Sequence, residues 1–233
     1  VRMSLLLWAL AACALPATAR AQDAGLGEII VTAQRSSSDF FSDEQTVIGL
    51  KRQADSAVQP VLVSSDSREE PVRKKEILAM VASAIQRAPA AGVELVTGDF
   101  ELVPLTMSNY RDLVFGKGGR PDTSQVRLMV KARLAGSTGS AQKRIDDFIR
   151  AVPPDGRSLM EKQGALTLTI INPDQYRDDI VRRVAEEAKR YAGYFGADYG
   201  VEVSGLNEQL AWTQISNTEV FLYIPYGFVI RPK

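Results

Sequence analysis

The segment from Val126 to Leu134 has an apolar residue at every second position, with mostly cationic residues between, and this pattern limits the possible folds more than any other feature. Alternation with a period of two places successive side chains on opposite faces of an extended chain. The apolar members are Val126, Leu128, Val130, Ala132 and Leu134, and the intervening ones are Arg127, Met129, Lys131 and Arg133. One buried and one wet face are typical of an antiparallel sheet. We expect the wet face to be largely cationic and solvated, or else to bind an anion or an acidic partner.

Segments with helical periodicity are interspersed among further strand-like runs. The helical segments are 68–88, 145–152 and 174–195. The strand-like runs are 46–50, 58–63, 92–105 with a break at residues 97–98, 165–171, 199–203 and 219–230. The first two read as a strand pair, with Pro60 indicating an edge or a bulge. This mixture predicts an α+β fold with antiparallel sheets, one long amphipathic helix and two shorter ones.

The longest predicted helix has recognisable signals at both ends. Asn172 is a suitable N-cap, Pro173 suits the first helical position, and Gly196 suits the C-terminal stop. Its aromatic residues, with one just beyond it, are Tyr176, Tyr191, Tyr194, Phe195 and Tyr199. They could line a ligand cleft, but their spacing along one helical face favours packing in the core.

The first 21 residues have the composition of a signal peptide. An apolar run over 5–15 precedes Ala19-x-Ala21, which makes Gln22 the expected first residue of a mature periplasmic protein. The run is too short for a transmembrane span, which needs about 20 apolar residues. The alternative is a lipoprotein anchored to the envelope through Cys13, because residues 10–13 resemble a lipobox.

Residues 22–44 read as a flexible N-terminal arm that contains one strand-forming octet, 28–35. The octet resembles the segment with which TonB-dependent receptors contact TonB by strand addition. The partner-binding residues implied by this resemblance are Glu28, Ile29, Ile30, Val31, Thr32 and Ala33. The alternative is that the octet is simply the first strand of the domain.

Residue counts exclude several classes of chemistry. The 233 residues include no histidine and one cysteine, which excludes Ser-His-Asp triads, Cys–His nucleophiles and zinc fingers. The charge balance of 28 basic and 28 acidic residues gives no reason to expect nucleic-acid binding. The glycine-rich stretch 116–122 lacks the spacing of a phosphate-binding P-loop and predicts a hairpin connection.

Adjacent carboxylates offer no shared site. The pairs are Glu69-Glu70, Asp146-Asp147, Asp178-Asp179 and Glu186-Glu187. Neighbouring residues point in different directions, so we expect solvated faces. The sequence therefore predicts no catalytic residue, no cofactor and no metal site.

The order of elements resembles that of the SIMPL-domain family of bacterial envelope proteins. The segment 91–98 is similar to the family's Gly-Val-x-x-x-x-Thr stretch, and 178–194 looks like its long helix. The resemblance covers 45–231 as one domain. The alternative is a division of this domain into two sub-domains, at about 45–137 and 138–231. It implies an envelope protein that oligomerises, without an established catalytic motif.

The run 219–230 is apolar on both faces, and the three predicted helices offer little cover for both. We therefore expect an oligomer interface that includes Phe221, Tyr223 and Phe228. The predicted function is that of a non-enzymatic, exported envelope protein that forms a homo-oligomer and acts as a structural or interaction module. The alternatives are an accessory protein that contacts TonB and a carboxylate-based metal-dependent enzyme.

Overall fold

A computed structural model describes residues 27–31 and 48–233. The helices are α1 (Glu70–Arg87), α2 (Thr138–Ala151) and α3 (Arg177–Gly193). The strands are β1 (Glu28–Val31), β2 (Gly49–Gln53), β3 (Ser56–Ser65), β4 (Glu94–Thr97), β5 (Val103–Pro104), β6 (Gly116–Lys117), β7 (Ser124–Arg133), β8 (Ser158–Lys162), β9 (Thr167–Ile171), β10 (Tyr199–Ser204), β11 (Ala211–Gln214), β12 (Glu219–Tyr223) and β13 (Gly227–Pro232). The pairings between these strands are antiparallel, which confirms the α+β class. α1, at 18 residues, is about as long as α3, at 17.

The main sheet has the strand order β1-β9-β3-β7-β4-β5, with β6 beside β7 and β8 beside β3. Its centre is the pairing of β3 with β7, which runs from Ser56–Arg133 to Ser65–Ser124. α1 and α2 pack against these two strands. The predicted apolar face of β7 is buried in the core on this side, from Val126 to Ala132. We call this side of the sheet its helix face.

The opposite side, which we call the inner face, becomes the inside of a partly closed barrel. Leu102 N–H donates to the Glu28 carbonyl at 2.8 Å, and Ile30 N–H donates to the Phe100 carbonyl at 3.2 Å. Residues 100–102 lead into β5, which is the last strand in the order of the sheet. The same residues pair with β1, which is the first strand in that order. The two ends of the sheet therefore meet. A small apolar cluster fills part of the interior, and its members are Val58, Val96, Leu102 and Met129, with Ile30 against them.

The turn at Gly98 directs the chain into this closing segment. Gly98 has a φ of +119°, a conformation that side chains with a Cβ rarely adopt. A Cβ at this position would lie 2.0 Å from the Glu101 carbonyl oxygen. The break expected at residues 97–98 therefore corresponds to a turn that only glycine fits.

Pro60 lies in the central strand β3, opposite a gap between two other strands. β8 and β9 lie one after the other along the same edge of β3, separated by residues 163–166. Gln163 N–H donates to the Pro60 carbonyl at 2.8 Å, but Pro60 has no N–H to return. The side-chain amide of Gln59 donates to the Gln163 carbonyl instead, at 2.9 Å. Pro60 is thus accommodated by a broken neighbouring strand and a substitute donor.

The C-terminal part adds two small sheets and α3. β11, β12 and β2 form a three-stranded sheet with β12 in the middle. β10 and β13 form a two-stranded ribbon, and α3 packs against β10 and β2. One hydrophobic cluster of buried residues runs through both parts, and includes Ile29 of β1, Val130 of β7 and Leu222 of β12.

Several details of strand pairing differ from the prediction. The runs 46–50 and 58–63 are not a strand pair, because β2 pairs with β12 while β3 lies in the main sheet. The run 219–230 is two strands in different sheets, β12 and β13, separated at Pro225. The sheets are not divided at residue 137 either, since β8 and β9 belong to the main sheet.

The start of the long helix also differs. Asn172 has a φ of +42° and makes no capping hydrogen bond through its side chain. A short 3₁₀ turn, Pro173–Tyr176, separates it from α3. By contrast, the start of α1 agrees with the prediction, because Pro71 lies in its first turn. The hairpin predicted over 116–122 is also confirmed, because β6 pairs with the start of β7.

Residues 1–26 and 32–47, which include the expected signal peptide and Cys13, lie outside the described part of the chain. Within the described part, no helix combines the length and the apolar composition that are needed to cross a bilayer.

Candidate functional site

An ion-pair cluster extends from the inside of the barrel, where the side chains of Lys131 and Glu28 are each only 11% exposed, to the exposed side chain of Glu94. Nζ of Lys131, on β7, lies 2.5 Å from a carboxylate oxygen of Glu28 on β1 and 2.8 Å from one of Glu94 on β4. The hydroxyl of Thr169 donates to the other Glu28 oxygen at 2.5 Å. Burial acts to lower the pKa of Lys131, but the hydrogen bonds to both carboxylates outweigh it and raise that pKa.

This cluster corrects the expected character of β7. Arg127 and Arg133 are exposed, as expected of a cationic wet face. Lys131, between them, is only 11% exposed and is paired, and Met129 belongs to the interior apolar cluster. The prediction of a continuous solvated face is therefore wrong for the middle of the strand. The missing signal was the closure of the sheet, which a local pattern does not contain.

Residues 28–31 are part of the sheet. Ile29 and Val31 are fully buried on the helix face, Ile30 is half-buried on the inner face, and Glu28 belongs to the ion-pair cluster. The expectation of a flexible arm is therefore wrong for these residues. Thr32 and Ala33 lie outside the described residues.

Both edges of β1 are already occupied. β9 pairs with one edge from Glu28 to Val31, and residues 100–102 bond to the other. Strand addition needs a free edge. Contact with TonB stays a prediction, and it now requires that one of these partners be displaced from β1.

A groove opens at one end of the barrel interior. It has a volume of about 530 Å³, and Ile30, Pro60, Leu62 and Met129 are among its apolar lining residues. Thr97, Gln125 and Arg127 contribute polar groups. The mouth of a barrel is a common location for ligand sites. Asp99 lines the same groove as Arg127, so the groove shows no preference for one sign of charge.

An exposed aromatic surface lies at the C-terminal end of α3. Tyr194 is 72% exposed and Phe195 61%, and Tyr199 of β10 lies against Phe195 with ring centroids 5.8 Å apart. Tyr191 stacks on Phe228 of β13 at 5.8 Å and contacts Tyr194 at 6.1 Å. We call these five residues, Tyr191, Tyr194, Phe195, Tyr199 and Phe228, the aromatic face. The prediction that the aromatic residues of this helix pack in the core is wrong for Tyr194 and Phe195.

The aromatic face adjoins the β10–β13 ribbon. Val201 and Val203 of β10 lie opposite Ile230 and Phe228 of β13, and all four are half-buried. On the other face of the ribbon, Val229 is 50% exposed. Among the described strands, β10 and β13 pair only with each other, so each has an unpaired outer edge. A two-stranded ribbon is marginal alone, and free edges tend to recruit further strands.

The three residues predicted at the oligomer interface separate into two groups. Tyr223 is buried in the central strand β12, and Phe221 is half-buried and stacks on it at 5.7 Å. The expectation that this strand lacks cover is wrong, because Leu222 and Tyr223 lie on opposite faces of β12 and both are buried. Phe228 lies elsewhere, on the aromatic face. Among the three predicted interface residues, Phe228 is therefore the one that belongs to the aromatic face.

The adjacent carboxylates that the structure describes bind separate partners. Asp146 accepts from Lys162 and Gln142, while Asp147 pairs with Lys143 and Arg150. Carboxylates that face different cations on a surface act independently. The prediction that these neighbours point in different directions is confirmed for this pair.

A separate polar cluster joins the end of β3 to α1. Ser65 and Ser67 donate hydroxyl hydrogen bonds to Glu76 at 2.5 and 2.9 Å. Arg73 is buried and donates to the Ser67 carbonyl at 3.0 Å and to the Ser124 hydroxyl at 2.9 Å. Both serines that bind Glu76 are themselves buried, so this cluster anchors the connection between β3 and α1.

Comparison with models of known protein families and with curated proteins finds no match. The fold and the site define an α+β protein with a partly closed barrel, an exposed aromatic face and an open ribbon. The resemblance to the SIMPL-domain family stays a prediction.

Proposed function

We propose that this protein is a non-enzymatic, exported envelope protein that self-associates and acts as an interaction module. The observation that carries the proposal is the open β10–β13 ribbon beside the aromatic face. Tyr194 and Phe195 expose most of their ring surface to water, although large aromatic side chains gain most from burial. Exposed apolar patches of this kind are typical of protein interfaces.

A second copy of the chain is the partner that suits this surface. A ribbon edge can pair antiparallel with the same edge of another copy around a two-fold axis, because such an interface is self-complementary. The aromatic face lies next to that edge, so the same contact would cover its rings. The proposed interface therefore consists of α3, β10 and β13, and Phe228 is the residue it shares with the sequence prediction.

Sedimentation velocity of the full chain tests this proposal. We expect association at micromolar concentration, and we expect Phe195→Lys and Tyr194→Lys each to weaken it by about tenfold or more, since buried aromatic anchors dominate interface energies. Val114→Lys is the matched control, because Val114 is 86% exposed and lies in a connection away from the ribbon. A wild-type chain that sediments as a monomer throughout would refute self-association.

Export rests on the composition of residues 1–21. Mass spectrometry of the protein from the periplasm should show a chain that begins at Gln22. A lipid on Cys13 would contradict this and would instead support the anchored alternative.

A further inference from the structure

A second cavity lies at the opposite end of β7 from the groove. It has a volume of about 430 Å³ and is bounded by the turn after α1, the starts of β4 and α2, and the end of β7. Its lining residues include Gly92, Glu94, Lys131, Arg133 and Arg144. Three of these five residues are cationic and one is acidic.

The cations at this cavity outnumber the nearby carboxylates by one, since Lys131, Arg133 and Arg144 are set against Glu28 and Glu94. Lys131 is already paired with Glu28 and Glu94. Neither Arg133 nor Arg144 forms an ion pair with any carboxylate in the described ranges. Two guanidinium groups therefore border one cavity without an ion-pair partner of their own among the described residues.

The guanidinium of Arg144 is fixed in place but incompletely bonded. Its Nη2 group donates to the backbone carbonyl of Arg133. Its Nε is buried and has no hydrogen-bond partner in the part of the chain that the structure covers. Buried polar groups in native proteins are nearly always bonded, and an orphan often marks a bound water or ion. This second observation is independent of the charge count.

We propose that this cavity binds a phosphate group. Arginine pairs bind phosphate oxygens with parallel N–H bonds, which favours phosphate over a compact halide. The excess positive charge favours an anion, and two guanidinium groups offer more N–H donors than the two oxygens of one carboxylate accept. The cavity is much larger than a phosphate ion, so a small phosphate monoester fits the same chemistry. This site lies apart from the aromatic face and does not depend on self-association.

Calorimetric titration and thermal unfolding of the full chain test the site. The probes are inorganic phosphate and glycerol phosphate, with acetate and chloride as controls at the same ionic strength. We expect both phosphates to bind saturably and to raise the midpoint of unfolding, because a ligand that binds only the native state stabilises it. Tighter binding of glycerol phosphate would identify a monoester as the ligand, and equal binding would identify the phosphate group alone. No difference between phosphate and chloride would overturn the proposal.

Three variants locate the binding. We expect Arg133→Gln and Arg144→Gln each to weaken phosphate binding by about tenfold or more, the size of a lost charge-assisted contact. Arg127→Gln is the matched control, because Arg127 is exposed on the same strand but lines the groove at the other end. If Arg144→Gln fails to fold, Arg133→Gln decides the question, since it leaves the backbone carbonyl that holds Arg144 in place. An equal loss in all three variants would show a general charge effect and would refute the site.

Discussion

The carboxylate of Glu28 lies 2.5 Å from Nζ of Lys131, although β9 and β3 separate their two strands in the order of the sheet. A flat sheet would hold these strands about three strand spacings, or roughly 14 Å, apart. The contact is possible because the sheet curls until the segment before β5 reaches β1. The ion pair thus spans the interior of the barrel.

Replacing Lys131 should destabilise the fold strongly. We expect Lys131→Met to cost about 3 kcal/mol in the free energy of unfolding, because it leaves the Glu28 carboxylate, only 11% exposed, without its cation. Urea unfolding followed by circular dichroism measures this loss.

The double variant Glu28→Gln with Lys131→Met is the control. It removes both charges, so its loss should be smaller than that of Lys131→Met alone. An additive loss would show that the two side chains do not interact across the barrel.

The side-chain amide of Gln59 should contribute to the stability of the fold only because the next residue, Pro60, has no backbone N–H. Gln59→Met removes the amide that donates to the Gln163 carbonyl, and we expect a loss of about 1–2 kcal/mol in unfolding free energy. Pro60→Ala restores a backbone N–H that faces the same carbonyl. The loss caused by Gln59→Met should therefore be smaller in the Pro60→Ala background.

A double-mutant cycle by chemical denaturation measures this coupling between neighbouring sites. Equal losses in the two backgrounds would show that the amide does not substitute for the missing backbone donor.

The free energy of unfolding should fall at acidic pH because the carboxylate of Glu76 becomes protonated. The hydroxyl of Ser65, with a further contribution from Ser67, holds the pKa of Glu76 below its ordinary value of 4.5, against the opposing effect of burial. A carboxyl whose pKa is lower in the folded state stabilises the protein above its unfolded pKa. This contribution is present at neutral pH and is lost as the pH falls from about 4.5 through the folded pKa.

Unfolding free energies measured over a pH series check this prediction. Glu76→Gln should flatten the acid limb of the profile, whereas Glu161→Gln, at an exposed position of β8, should leave it unchanged. An unaltered acid limb in Glu76→Gln would rule out this linkage.

Local pattern was enough to predict several elements. The alternation in β7 identified the face that α1 and α2 cover, and the helical spacing after Pro71 identified α1. The turn residues Thr97 and Gly98 identified the end of β4. Each of these features depends on residues that are close together in the sequence.

Partners remote in sequence could not be predicted from a pattern. Lys131 looks like any solvated lysine until Glu28, more than 100 residues away, contacts it. The run from 219 to 230 is apolar throughout, but nothing local shows that β12 lies between β2 and β11 while β13 pairs with β10. Phe195 has the spacing of a core residue and is exposed because the described chain supplies no layer that covers it.

The gap opposite Pro60 also has a consequence for misfolding. A strand can slide along its neighbour by two residues without exchanging its faces, so alternative registers of β8 or β9 on β3 would keep the same side chains buried. Each such register would place a carbonyl opposite Pro60, where no backbone N–H can meet it, as the carbonyl of Gln163 lies in the native register. The amide of Gln59 reaches only the carbonyls of residues 163 and 164 on that edge. Pro60 therefore removes one backbone ladder hydrogen bond from every such register, and in the native one the Gln59 amide supplies the substitute.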